Sequence, residues 1–101
     1  MPVELEHVKD AWIKVREETQ KARAAYQEPE SNIDFIKQTK PLLQAMNDAK
    51  SEANIFLTRE DISPEEREFA DNIVHLVEET FTYWSVVAGL SMEDFFTLIL
   101  S

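Results

Sequence analysis

The chain has no cysteine and only one glycine in 101 residues. Without thiols it has neither disulfides, nor thiolate chemistry, nor sulfur ligands for a metal. A single glycine cannot form the glycine-rich loop that cradles phosphates, so that class of nucleotide site is excluded. Bases are scarce as well, and unevenly placed. Residues 1–50 hold 9 acids and 8 bases, whereas residues 51–101 hold 11 acids against Arg59 and Arg67 alone, within a net charge of −10. Such a surface has little with which to displace counterions, so direct binding to nucleic acid or to an anionic membrane is not expected. Met1–Asp10 lacks the basic and apolar stretches of a secretory leader. No run approaches the roughly 18–20 apolar residues of a membrane span, the longest being interrupted by Ser85, Gly89, Ser91, Glu93 and Asp94. A cytoplasmic location is the resulting expectation.

What is present is helix. With 44% hydrophobic and 30% charged residues the composition is that of a folded chain rather than a disordered one, and its length predicts a single domain over 1–101. Three serines are each followed three residues later by an acid and then by an apolar run: Ser31–Asp34, Ser63–Glu66 and Ser91–Asp94. Each pair reads as a helix start, in which the serine oxygen accepts from a first-turn amide and the acid favours the positive end of the helix dipole. Pro64 strengthens the middle start, because a proline at the first helical position loses no hydrogen bond.

Between these starts the apolar residues step by three and four. Leu5, Val8, Trp12, Val15, Thr19, Ala22 and Tyr26 predict a long helix over about Val3–Gln27. Pro41 predicts a break, with a short helix near 33–39 and a restart that carries Leu42, Met46, Ala49, Ala53 and Phe56; a single kinked helix is the alternative. The small residues Ala45, Ala49 and Ala53 favour close packing against a large side chain, Trp12 or Trp84. From Pro64 to about Ala88 the main stripe is read as Phe69, Ile73, Leu76, Thr80, Tyr83 and Val87. Val77, Phe81, Trp84 and Val86 widen it until its C-terminal end should be surrounded by protein. Gly89 closes that helix and Ser91 opens a short last one. The expected fold is all-α: an antiparallel bundle of three long helices with two short ones.

Chemistry has few candidates. Glu4 and His7 share a helix face, but the second histidine, His75, has its acid Asp71 four residues before it rather than three, so a paired-carboxylate metal site is disfavoured. No catalytic constellation, metal site or cofactor is expected. The aromatics Trp12, Tyr26, Tyr83 and Trp84 read as core more readily than as a ligand pocket.

Two non-catalytic readings remain. One is a protein-interaction module, with a protein partner or a second copy docking on an apolar C-terminal surface made by Trp84, Phe95, Phe96, Leu98, Ile99 and Leu100. The other is an acidic inhibitor or antitoxin-like protein. It would present Glu60, Asp61, Glu65, Glu66, Glu68, Asp71, Glu78 and Glu79 to a basic nucleic-acid-binding surface.

The run Ala25-Tyr26-Gln27-Glu28, then Asp34-Phe35-Ile36 leading to Thr39-Lys40-Pro41, and later Asp71-Asn72 and Leu76-Val77, resembles the YppE-like family of small bacterial proteins. The resemblance implies a four-helix bundle of unassigned function and supplies no catalytic residue. The segment between Pro41 and Ser63 and the C-terminal helix are shorter than the family pattern.

Overall fold

A computed structural model describes residues 3–101, and those residues fold into five helices and no strand. They are α1 (Leu5–Ala24), α2 (Asn32–Gln38), α3 (Lys40–Phe56), α4 (Pro64–Val87) and α5 (Met92–Leu100). The all-helical expectation is met, and so is the break before Pro41: Thr39 closes α2 and opens α3, leaving its amide bonded to the Phe35 carbonyl.

All three serine starts form. The oxygens of Ser31, Ser63 and Ser91 accept from the amides of Asp34, Glu66 and Asp94 at 3.1, 3.2 and 3.1 Å. Only at Ser63 is the reciprocal bond made, with the Ser63 amide donating to Glu66 Oε1 at 2.9 Å. Asp34 instead accepts from the amide of Glu30. Aspartate is one methylene shorter than glutamate, which is why the box closes only where the acid is Glu.

α1 stops earlier than its stripe predicts, at Ala24 rather than near Gln27. A side chain competes for the backbone there: Gln38 accepts from the Gln27 amide and donates to the Gln27 carbonyl. That pair of bonds offers Gln27 an alternative to another helical turn and leaves Tyr26 exposed beyond the helix.

α3 is the centre of the fold. Its closest pairing is with α1 and its next closest with α4, whereas α1 and α4 hardly touch each other. The small residues Ala45, Ala49 and Ala53 are buried where the helices approach, together with Met46 and Phe56. Ala45, Asp48, Ser51 and Glu52 of α3 share a cleft with His7, Asp10, Ala11 and Lys14 of α1, and Thr19 and Ala22 meet Leu42. α1 therefore runs antiparallel to α3. Lys50 pairs with Glu78 at 3.6 Å, which sets α4 on another edge of α3, and the short connection between Phe56 and Pro64 reverses the chain so that the two run antiparallel. α1 and α4 thus run in the same direction along two sides of α3. Three corners of a four-helix square are filled and the fourth side is open. The described residues form an elongated array of 47 × 29 × 22 Å.

One sequence expectation fails at α4. The buried residues are Ala70, Ile73, Val74, Val77, Phe81 and Ser85, a face rotated from the predicted stripe. Of that stripe only Ile73 is buried, while Leu76, Tyr83 and Val87 are exposed. Val86 is exposed as well, so the C-terminal end of α4 is not surrounded by its own chain. α4 is apolar on two adjacent faces, and periodicity alone does not say which one meets α3. The chosen face has small residues at Ala70 and Ser85, where the backbone must come close.

Candidate functional site

The apolar C-terminal tail is tucked inward. Phe95 and Ile99 are fully buried, Phe96 and Leu98 are half-buried, and only Leu100 remains largely exposed. Phe81, Phe95 and Phe96 form an aromatic cluster with ring centroids 5.2–6.1 Å apart. The last turn of α5 is held by Gln44, whose Nε2 donates to the Ile99 carbonyl at 2.7 Å, and by Lys40, which donates to the carbonyl of Ser101. Of the six tail residues expected to form an interaction surface, Phe95 and Ile99 are therefore not available to a partner. A short helix whose apolar face is wide finds cover on α3 and α4, because the right-angled turn at Gly89–Leu90 folds it back over them. Gly89 takes φ +69°, the Leu90 amide donates to Ser85 O at 2.9 Å, and the Gly89 amide donates to Val86 O at 3.1 Å. This paired closure is the Schellman arrangement.

The exposed apolar surface lies instead along the open fourth side. Leu76 is 46% exposed, Tyr83 59% and Val86 70%. Trp84, half-buried, links this strip to the next feature: its ring stacks on Phe35 at 4.5 Å and meets Tyr83 edge-on at 5.3 Å. Beyond Phe35 is a cleft of about 400 Å³ lined by Thr19, Ala22, Arg23, Tyr26, Thr39 and Leu42. α2 is fixed across this end by Asn32, whose Nδ2 donates to the Val87 carbonyl at 2.9 Å. Through Phe35, which stacks on Trp84 and lines the cleft, the apolar strip of α4 continues towards α1. Its apolar content was visible in sequence, as the stripe placed wrongly on the core face.

The eight acids of the alternative reading are dispersed, and three have partners within the chain. Asp61 pairs with Arg59 at 2.7 Å, Glu78 pairs with Lys50, and Glu66 caps its own helix. The Arg59 guanidinium holds the Asp61 carboxyl below the usual range, and the Ser63 amide does the same for Glu66. Glu60, Glu65, Glu68 and Glu79 are exposed and Asp71 is half-buried.

The histidines are used structurally. His7 Nδ1 accepts from the Glu4 amide at 3.1 Å, closing the first turn of α1, and His75 Nδ1 lies 2.8 Å from the Asp71 carbonyl. Among the described residues no group of three or more His, Asp or Glu side chains is placed to hold a metal ion. Nor is any single helix among them long and apolar enough to cross a membrane. No family model, curated protein or solved structure matches this chain.

Proposed function

We propose that this chain is a non-catalytic module that binds another polypeptide through the open side of α4. The observation that carries the reading is the concentration of Leu76, Tyr83, Val86 and Val87, all exposed, within twelve residues of one helix. Scattered exposed apolar residues are ordinary, but a contiguous strip beside an aromatic-floored cleft is the kind of surface that partners cover. An exposed apolar strip along a helix suits an amphipathic helix as the incoming element.

The test is a selection of displayed helix-forming peptides on the intact chain, counter-selected on a Leu76→Glu/Tyr83→Glu double variant. The expected outcome is enrichment of sequences with apolar residues spaced by three and four that lose at least about ten-fold in affinity on the variant. Peptides that bind both proteins equally overturn the reading. The acidic-inhibitor alternative makes a different demand: its complexes would weaken steeply as salt rises, and those of the apolar strip would not.

A further inference from the structure

We propose that the occupant of the open side is a second copy of this chain. The two copies are related by a two-fold axis along α4, so that the two α4 helices pair in parallel through Leu76, Thr80, Tyr83 and Val87. This rests on the interaction reading above and names its partner.

The first support is the pattern. Phe69, Ile73, Leu76, Thr80, Tyr83 and Val87 alternate strictly by four and three residues, the spacing of a coiled-coil seam, and the single chain uses only its first part, Phe69 and Ile73, in the core, leaving Leu76, Tyr83 and Val87 exposed. A seam that meets its own counterpart across a two-fold axis needs no other complementary sequence.

The second support is charge. On α1, Lys9, Arg16 and Arg23 recur every seven residues, which puts them on one edge. Arg23 lines the cleft next to Phe35, so this edge faces the open side. All three are exposed, and none has an ion-pair partner among the described residues. On α4, Glu68 and Glu79 lie beyond the seam on the edge turned away from α3, likewise exposed and unpaired among the described residues. A copy whose α4 fills the open side has α4 as one neighbour and α1 as the other, and it turns that acidic edge towards α1. Because Lys50 pairs with Glu78 while Ala45–Glu52 face His7–Lys14 and Leu42 meets Thr19 and Ala22, Glu79 stands level with the stretch of α1 between Lys9 and Arg16. Glu79 of the second copy therefore comes between Lys9 and Arg16, within side-chain reach of both bases.

Space selects the direction. An antiparallel two-fold would carry α3 of the copy into the position that α1 holds, whereas the parallel two-fold places α1, α4 and α3 of the two copies in two staggered rows. The same arrangement gives a place to Val86, which lies seven residues beyond Glu79 on that edge. It comes level with Thr19–Arg23, where the cleft opens.

The test is the solution mass of the full chain by sedimentation over a wide concentration range. Twice the chain mass is expected. Leu76→Glu should give a monomer with unchanged helical circular dichroism. Arg16→Glu should weaken the dimer roughly ten-fold, and adding Glu79→Arg to it should restore most of that loss. A wild-type monomer at every concentration overturns the proposal, and peptide selection then decides separately whether the docking reading stands. A dimer insensitive to Leu76→Glu, or a charge swap without rescue, overturns it as well.

Discussion

Single residues fix where the helices begin and end, and these were the most legible part of the sequence. Ser63 with Glu66 and Gly89 with Leu90 do locally what their types suggest, because the interaction partners lie within five residues. Gly89 has open space around it, so only its positive φ opposes a side chain. Gly89→Ala is therefore expected to cost about 1 kcal/mol, checked by urea denaturation. Ser63→Ala should cost about the same through its lost cap. The Asp61 and Glu66 carboxyls both titrate below their ordinary values in the folded chain, Asp61 chiefly through Arg59 and Glu66 chiefly through the Ser63 amide. Their contribution is then complete above the ordinary carboxylate range and is lost as pH falls through the lowered folded values. Acid should lower the urea midpoint, and Arg59→Ala should make that dependence shallower by releasing Asp61.

At the scale of the element, the existence of all five helices could be read, but the orientation of α4 could not. Its two apolar faces share Ile73 and differ by less than a third of a turn, and which one is buried depends on α3, a partner more than ten residues away. Phe81 and Phe95 show how that choice is secured: both are fully buried and their rings meet. Phe81→Ala or Phe95→Ala is expected to destabilise the chain by about 3–5 kcal/mol, since the cavity each leaves lies between helices that cannot close over it. Leu76→Ala, on the exposed face of the same helix, should change the stability of a single chain by less than about 0.5 kcal/mol. Equal losses at Phe81 and Leu76, measured at low protein concentration, would mean that α4 is turned the other way. Similarly, the tail was legible as an element needing cover. The sequence could not say whether α3 and α4 or a second molecule supplied it.

For the molecule as a whole, the missing corner governs what should be seen in solution. The two long helices packed on α3, α1 and α4, stand apart from each other, and the side chains on that side, Leu76, Tyr83 and Val86, are only partly covered by the fold of one chain. If a second copy covers them, folding and association are linked, and the unfolding temperature must rise with protein concentration because only the folded form associates. Each ten-fold increase in concentration adds at most about 0.7 kcal/mol per chain, half of the 1.4 kcal/mol that corresponds to a factor of ten, and for a domain of this size that is a rise of roughly 3–6 °C. Leu76→Glu should abolish the concentration dependence while leaving the limiting value at low concentration nearly unchanged, since that side chain lies on the exposed face of α4 in the single chain. Calorimetry of both proteins over the same dilution series separates this linkage from intrinsic stability. A wild-type transition that stays fixed on dilution would leave the corner open in solution, free for a different polypeptide.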